Sequence, residues 1–249
     1  MKETSVLRQV VEASYWFTAQ PGRWDRGEGL GAGNLGQRLA AHFDPAGIAV
    51  RPASVSGEAP AWTWALEWAG NRTPPTSDGR TRVNYRRGDD QDEWFENKPE
   101  GLEHGFTLGE RALVPEDGGM VRLALNIRTA LAAEMTPDRR SVIFRDAAGE
   151  TALRYENLLA YDARGRQLPA TMELGESASD GSWPLALLVD AAGATFPITV
   201  DPLITRTAGT LNPSPPIAQQ RAGWGVSLSG NLAALGAPGD YTVPIAGVV

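Results

Sequence analysis

Several residue types are scarce in this chain of 249 residues. It contains no cysteine, which excludes disulfide bonds and thiolate metal sites. Two histidines, His42 and His104, leave little material for imidazole chemistry. Basic residues number 23 against 30 acidic residues, and the resulting net charge of -7 opposes the phosphate contacts that dominate nucleic-acid affinity. We therefore expect no nucleic-acid partner.

Long apolar segments are also missing. Charged residues interrupt the N-terminal residues 6–12, whereas a secretory signal needs an apolar core of about 7–15 residues and a membrane span needs about 20. We predict neither feature in this sequence. The absence of a signal is typical of a cytoplasmic protein, but it would also follow if the chain were a fragment of a longer gene product.

The N-terminal segment, residues 1–33, is predicted to be partly irregular, and its residues 7–17 fit a short helix and a strand equally well. At its end Gly31, Gly33 and Gly36 form the G-x-G-x-x-G pattern of dinucleotide sites. No buried strand precedes the pattern and no βαβ unit follows it. We therefore predict a flexible loop that leads into a short helix over residues 37–43, with Asn34 near its N-cap.

Four D-x-x-G tetrapeptides recur through the rest of the chain. Aspartate at the first position accepts hydrogen bonds from the backbone of the turn, and glycine at the fourth takes the left-handed conformation. Strand-like residues flank each copy, which predicts tight turns between antiparallel strands. The copies begin at Asp44, Asp146, Asp162 and Asp190.

The last strand-like segment before a change in composition covers residues 195–203. Phe196, Ile198 and Val200 alternate with Pro197 and a threonine, which is the period of a half-buried strand. Asp201-Pro202 is predicted to end this strand, because proline cannot extend a hydrogen-bonded ladder. With 42% hydrophobic residues available for a core, residues 34–203 are predicted to form a mainly β, antiparallel domain, either a β-sandwich or an open barrel.

A row of aromatic residues offers a candidate ligand face. Trp62, Trp64, Leu66 and Trp68 fall on one side of a predicted strand, because side chains alternate with a period of two. If this side packs into the core, the indoles are buried; if it is exposed, they form a platform on which sugar rings could stack. We favour the core interpretation, because large aromatic residues dominate cores and nothing polar accompanies the row.

An acidic cluster, formed by Asp89, Asp90, Asp92 and Glu93, follows two arginines. Spaced carboxylates can bind calcium, but the glycine and the later glutamate of an EF-hand loop are missing. A polar hairpin turn between two strands is therefore predicted.

The remaining candidate for acid–base chemistry is His104. It could pair with a carboxylate, but no serine elbow or other nucleophile signature is present, so we predict that His104 lies in a surface turn. An enzyme that uses the acidic cluster and His104 stays as an alternative, and it requires these groups to converge around a pocket. The paired acids of a glycosidase also stay open, since their separation depends on the fold.

The C-terminal part begins with residues 204–220, which are rich in proline and serine and are predicted to form a linker. Residues 221–249 then contain two short predicted strands around Gly230-Asn231. A single hairpin cannot bury its own apolar face. The stretch from Trp224 to Asp240 reads Trp-Gly-Val-Ser-Leu-Ser-Gly-Asn-Leu-Ala-Ala-Leu-Gly-Ala-Pro-Gly-Asp and closely resembles the opening of an FG-GAP repeat, the blade unit of integrin-α-like β-propellers.

The upstream part resembles the region that precedes such propellers in large bacterial surface or secreted proteins. The residues that carry this second resemblance lie at positions 83–88, 93–97, 101–108, 153–158 and 196–203. In the repeat family a calcium loop with several spaced aspartates would follow, and here only Asp240 occupies such a position. Asp240 is therefore the one candidate metal ligand, and no other cofactor is expected.

The resemblance implies less than one full blade, whereas a propeller needs several blades to close its ring. We therefore expect a truncated gene product or the N-terminal piece of a longer protein, with the remaining blades as partners. The function it implies is adhesion or display by a non-enzymatic extracellular or cell-envelope protein that meets a protein or a glycan at a cell surface. The alternative is a carbohydrate-binding or glycan-processing module with Trp62, Trp64 and Trp68 as its ligand face.

Overall fold

The computed structural model describes residues 13–53, 60–67, 73–110, 119–206, 225–229 and 232–236. The chain divides into two units, Met1–Thr207 and Ala208–Val249. In these ranges no helix combines the length and the apolar character that crossing a membrane requires.

Sixteen β-strands are described in the first unit. In chain order they are β1 (Thr18–Gln20), β2 (Gly29–Asn34), β3 (Leu39–Asp44), β4 (Gly47–Pro52), β5 (Trp64–Glu67), β6 (Thr76–Ser77), β7 (Arg82–Arg86), β8 (Gln91–Lys98), β9 (Gly101–Leu108), β10 (Met120–Thr129), β11 (Ala132–Met135), β12 (Val142–Arg145), β13 (Thr151–Tyr161), β14 (Ala170–Leu174), β15 (Ser182–Asp190) and β16 (Ile198–Thr205).

These strands form two eight-stranded sheets. The first sheet has the order β1-β2-β3-β4-β5-β10-β15-β14, and the second has the order β11-β12-β13-β16-β9-β8-β7-β6. Neighbouring strands pair antiparallel in both sheets. The predicted mainly β, antiparallel structure is therefore confirmed, and each sheet combines strands from distant parts of the sequence.

One hydrophobic cluster draws on both sheets. The indole of Trp64 on β5 lies 5.9 Å from the ring of Phe144 on β12 and 6.2 Å from that of Tyr155 on β13, measured between ring centroids. Because alternate side chains of each strand point to this shared core, the remaining side chains form an opposite face on each sheet. Those opposite faces hold the surface features described below.

All four predicted D-x-x-G turns are present. Their glycines adopt positive φ angles, namely 123° at Gly47, 83° at Gly149, 77° at Gly165 and 63° at Gly193. In each turn the aspartate carboxylate accepts a hydrogen bond from the backbone N–H two residues later: Ala46 at 2.8 Å, Ala148 and Arg164 at 2.9 Å, and Ala192 at 3.0 Å.

The helix predicted over residues 37–43 is wrong, because the chain forms strand β3 there and pairs it with the glycine-rich β2. Asn34 Oδ1 does accept a hydrogen bond from the N–H of Gln37 at 2.9 Å, but a hairpin turn follows rather than a helix. The alternate residues Leu39, Ala41 and Phe43 are buried in the core. Their burial favours a strand over a helix. The glycine pattern consequently lies in a hairpin. The other segment left open, residues 7–17, lies largely outside the described residues.

Strand β16 also departs from its prediction, because it continues through Asp201-Pro202 to Thr205 in the middle of the second sheet. The register with β13 shifts between Glu156 and Leu159, opposite this dipeptide, and Asn157 has φ 58° there. At such a bulge the residue opposite takes no part in the regular ladder of hydrogen bonds. Pro202, which has no N–H to donate, is therefore not required to donate one. Proline is therefore tolerated in a central strand at this point.

The second unit contains β17 (Gly225–Ser229) and β18 (Leu232–Gly236), which pair antiparallel with Ser229 opposite Leu232. The two predicted C-terminal strands are thus confirmed. Asp240 and most of the predicted linker lie outside the described residues.

Candidate functional site

His104 is buried in the core, so its predicted position in a surface turn is wrong. It lies on β9, where it points to the same side as Leu102 and Phe106, and none of its side chain is exposed. Its ring stacks on that of Phe95 with centroids 4.3 Å apart. Its Nε2 lies 2.8 Å from Glu93 Oε1, and its Nδ1 lies 2.8 Å from the hydroxyl of Tyr155.

These contacts form a buried hydrogen-bonded chain that runs Arg87–Glu93–His104–Tyr155. Arg87 Nε donates to Glu93 Oε2 at 2.6 Å, so an ion pair occupies one end. The carboxylate needs a donor, which places the proton of His104 on Nε2 and leaves Nδ1 to accept from Tyr155. Burial lowers the pKa of His104, although Glu93 acts in the opposite direction. Burial likewise raises the pKa of Tyr155. Both shifts favour the neutral forms of His104 and Tyr155.

The other acidic residues of the cluster do not join this network. Asp89 and Asp90 lie in the predicted turn between β7 and β8, and Asp92 lies at the start of β8. All three line a shallow surface depression of about 350 Å³. Only Glu93 turns inward to His104. The groups that an enzyme would require thus do not converge around one pocket. Within the described ranges, no set of three or more His, Asp or Glu residues is arranged to hold a metal ion.

Two of the three tryptophans in the predicted row are described by the structure, and both are buried. Trp62 is 8% exposed and Trp64 is fully buried, whereas Trp68 lies outside the described residues. A sugar-stacking platform needs an exposed indole face. Trp62 and Trp64 therefore belong to the core, as the favoured interpretation predicts.

A carboxylate pair lies on the opposite face of the second sheet. Burial and, after it, the neighbouring Glu103 together raise the pKa of Asp201 to about 7, while Lys98 acts in the opposite direction. Lys98 Nζ in turn pairs with Glu103 and lies 3.6 Å from Glu96 Oε2. This pair can hold a proton near neutral pH, but among the described cavities none is lined by it.

The feature best suited to bind a ligand lies on the opposite face of the first sheet. His42, Ala49, Ala65 and Arg128 are direct cross-strand neighbours on β3, β4, β5 and β10. The two alanines leave room above the sheet for a depression of about 530 Å³. We call it the Trp24 groove; its main lining residues are Trp24, Arg26, Ala49, Ala65, Glu67 and Arg128.

One wall of the Trp24 groove is a loop between β1 and β2. Trp24 and Asp25 have φ angles of 58° and 60°, a left-handed conformation that costs roughly 1–2 kcal/mol for each residue with a side chain. The loop is tied to the sheet, since His42 Nε2 lies 2.9 Å from the carbonyl oxygen of Gly27, and Arg26 pairs with Asp44 at 2.7 Å. Strained backbone persists only where its surroundings hold it in place.

Cations surround the indole of this wall. The guanidinium carbon of Arg23 lies 4.3 Å from the Trp24 ring centroid, and that of Arg51 lies 4.8 Å from it. On the far side, Arg128 Nε donates to Glu67 Oε2 at 3.1 Å and its Nη2 lies 3.5 Å from Asp180 Oδ2. The groove thus has an apolar floor and a rim with charges of both signs.

No protein-family model, curated protein or solved structure matches this chain. Function is therefore inferred from the geometry of the chain itself.

None of the residues of the Trp24 groove was identified from sequence as a candidate site. A usable signal was present, because Arg23-Trp24-Asp25-Arg26 places one indole among three charged residues between Pro21-Gly22 and Gly27. The turn-forming flanks predict a loop, and a tryptophan on a charged loop has no local reason to be buried. The floor could not be found in this way, because Ala49, Ala65 and Arg128 come from three separate strands.

Proposed function

We propose that this chain is a non-enzymatic binding and display module of an extracellular or cell-envelope protein. In this proposal a β-sandwich formed by the two sheets precedes an FG-GAP propeller, of which β17 and β18 begin the first blade. The partner is a protein or glycan at a cell surface. The Trp24 groove is the contact site.

The burial of His104 carries the non-enzymatic part of the proposal. A general acid or base must lie within hydrogen-bond reach of a substrate proton. His104 is fully buried, and both of its ring nitrogens already have partners. Such a satisfied polar chain stabilises one arrangement of strands, which is a structural role.

The open character of the Trp24 groove supports the binding part. Ligand sites combine a concave shape with apolar surface and a few placed polar groups. Ala49 and Ala65 supply the apolar floor, and Glu67 and Arg128 supply polar groups at the rim.

The location can be tested by protease treatment of intact cells that produce the protein with an epitope tag. We expect the tag to be lost from intact cells, or to be recovered from the medium, while a cytoplasmic marker protein stays intact. Lysed cells serve as the control for protease access. A tag that is protected in intact cells and absent from the medium would contradict the proposed function.

A further inference from the structure

We propose that strand β14 can pair with the β14 strand of a second copy of this chain, and that Arg139 keeps this edge of the first sheet closed. The inference goes beyond the proposed function and does not depend on it. It rests on three observations: the length of the edge, the hydrogen bonds that cover its centre, and the unusual backbone of the residue that makes them.

The first observation is that β14 is the longest of the four strands at the edges of the two sheets. It has five residues, whereas β1, β6 and β11 have three, two and four. The backbone groups of an edge strand form a template for another strand, and natural proteins keep such edges short or covered. β14 also contains no proline that would block pairing. It is therefore the edge that most requires a cover.

The backbone groups on the open side of β14 follow from its pairing with β15. Asp190 donates its N–H to the carbonyl oxygen of Pro169 at 2.9 Å. Because hydrogen-bonded and non-hydrogen-bonded positions alternate along an antiparallel pair, every second residue from Pro169 bonds to β15. The residues between them, Ala170, Met172 and Leu174, direct their N–H and C=O groups to the open side. Met172 lies at the centre of this set.

The second observation is that Arg139, in the turn between β11 and β12, covers both outward groups of Met172. The carbonyl oxygen of Arg139 accepts a hydrogen bond from the N–H of Met172 at 2.6 Å, and Arg139 Nε donates to the carbonyl oxygen of Met172 at 3.1 Å. Arg139 Nη2 also lies 3.4 Å from Glu173 Oε1. One residue thus occupies the donor and the acceptor that an added strand would use at the centre of β14.

The next residue, Arg140, attaches the same turn to the second sheet. Its carbonyl oxygen accepts a hydrogen bond from the N–H of Leu158 at 3.3 Å, and its Nε and Nη2 donate to the carbonyl oxygen of Leu158 at 3.2 and 2.7 Å. Leu158 lies within the bulge of β13. These bonds go to β13 and not to β14, so Arg140 offers a matched control for Arg139.

The third observation is the backbone conformation of Arg139. Its N–H donates to the carbonyl oxygen of Thr136 at 2.9 Å, and its φ angle is 55°. In the turn that begins at Asp146, Gly149 makes the equivalent hydrogen bond at 2.9 Å and has φ 83°. Arg139 therefore holds the turn position that the D-x-x-G turns give to glycine. A side chain is kept in this conformation only where its surroundings hold it, and such outliers point to a function. The bonds to Met172 provide that function.

The uncovered edge is complementary to itself. In an antiparallel pair centred on Met172, the two Met172 residues exchange backbone hydrogen bonds, and Ala170 lies opposite Leu174 of the second copy. Thr171 then faces Glu173 of the second copy, so like charges do not lie directly opposite each other, which would be destabilising. A second copy of this chain is therefore the partner that the edge fits.

Sedimentation velocity of the full chain over a range of concentrations tests the inference. Arg139→Gly removes the Nε donor, and glycine suits the left-handed backbone, so we expect this variant to fold. It should self-associate at least about tenfold more tightly than the unmodified chain, because pairing no longer breaks a bond from a charged donor. Arg140→Gly should leave self-association unchanged. Far-UV circular dichroism verifies the fold of each variant.

The double variant Arg139→Gly/Arg140→Gly extends the series. The carbonyl oxygen of residue 139 can still accept from Met172 in the single variant, whereas the double variant also loses the side-chain bonds that hold the turn to β13. We therefore expect the double variant to associate more tightly than Arg139→Gly.

Cysteine cross-linking locates the contact, because the sequence contains no cysteine. Thr171→Cys and Glu173→Cys are introduced separately into the Arg139→Gly variant, and the two proteins are mixed and oxidised with copper phenanthroline. The mixture should form disulfide-linked dimers faster than either protein alone, since antiparallel pairing places residue 171 opposite residue 173. With Arg139 retained, the same mixture should cross-link more slowly.

Three outcomes would overturn the inference. They are self-association of Arg139→Gly no tighter than that of the unmodified chain, an equal increase in Arg140→Gly, and cross-linking that does not favour the mixed pair. Each of them leaves the proposed function intact, since that function concerns the Trp24 groove and the location of the protein. A protein that is protected in intact cells but pairs through β14 overturns the proposed function alone.

Discussion

The hydrogen-bonded chain from Arg87 to Tyr155 joins side chains from β8, β9 and β13 to the turn after β7. Removing one member of a buried ionic network leaves the others without partners, which typically costs about 3–5 kcal/mol. We expect His104→Leu to lower the free energy of unfolding by about 3 kcal/mol, because Glu93 and Tyr155 each lose a bond. Urea unfolding followed by far-UV circular dichroism measures the change.

Two further variants make this prediction specific. Tyr155→Phe removes only the hydroxyl and should cost about 1 kcal/mol, the usual contribution of one hydrogen bond. Arg145→Gln breaks an exposed pair with Glu134 and should change stability by less than about 0.5 kcal/mol. If His104→Leu proved as harmless as Arg145→Gln, His104 would not have the structural role assigned to it.

The position of His104 could not be predicted from its neighbours in sequence. Its partners Glu93 and Tyr155 lie 11 and 51 residues away. A lone polar residue is normally exposed unless such partners are available. The pairing of β8, β9 and β13 around the core creates these contacts, and no local pattern records it.

Asp201 makes stability depend on pH. Its pKa is raised from the ordinary value near 3.9 to about 7, first by burial and then by Glu103. The folded protein therefore binds this proton more tightly than the unfolded chain does, so the stabilisation is present at low pH and is lost as pH rises toward 7. Relative to Asp201→Asn, we expect the unmodified protein to lose roughly 1 kcal/mol between pH 5 and pH 8. Solvent screening at this partly exposed carboxyl keeps the loss small.

Urea unfolding of both proteins at pH 5, 6, 7 and 8 measures this difference. The titration of His104, which acts in the opposite direction below its ordinary pKa, occurs in both proteins and cancels in the comparison. Parallel stability curves for the two proteins would show that the Asp201 carboxyl does not hold the proton.

At the scale of an element, the D-x-x-G turns determine where strands meet. Gly149 has φ 83°, and an added methyl group would have no atom within 4 Å, so Gly149→Ala tests backbone conformation alone. We expect this variant to lose about 1 kcal/mol of stability, the cost of the left-handed conformation. Gly149→Asn should lose less, because asparagine tolerates that conformation. Thermal unfolding measures both, and an equal loss in the two variants would contradict the conformational explanation.

These turns were predictable because both of their determinants are local: an aspartate that accepts bonds from nearby N–H groups and a glycine three residues later. Strand β3 was not, because Leu39 and Phe43 have the i, i+4 spacing of a helix while Leu39, Ala41 and Phe43 also alternate as in a strand. Hydrogen-bonded pairing with β2 and β4 selects the strand rather than the helix. The end predicted for β16 failed for a similar reason, since the bulge that accommodates Pro202 belongs to β13.

At the scale of the molecule, neither sheet of the first unit can be completed by one continuous part of the sequence. In the first sheet β5 pairs with β10, although the four strands between them in the sequence, β6 to β9, belong to the second sheet. In the second sheet β9 pairs with β16, which lies far from it in the sequence. Trp64 then couples the sheets through its packing on Phe144 and Tyr155. The loss of either sheet would therefore expose the core face of the other.

This architecture predicts that residues 1–207, produced alone, unfold in a single cooperative transition. The hydrophobic cluster of described residues runs from Phe17 to Ile204, inside this unit, so the fragment contains the residues that form the cluster. Tryptophan fluorescence reports on tertiary packing around the indoles of the fragment, which include the buried Trp64, and far-UV circular dichroism reports on the strands of both sheets. Their urea midpoints should coincide, as two-state unfolding requires. Two separated transitions would mean that the sheets are stable independently, and the coupling through Trp64 would then contribute little.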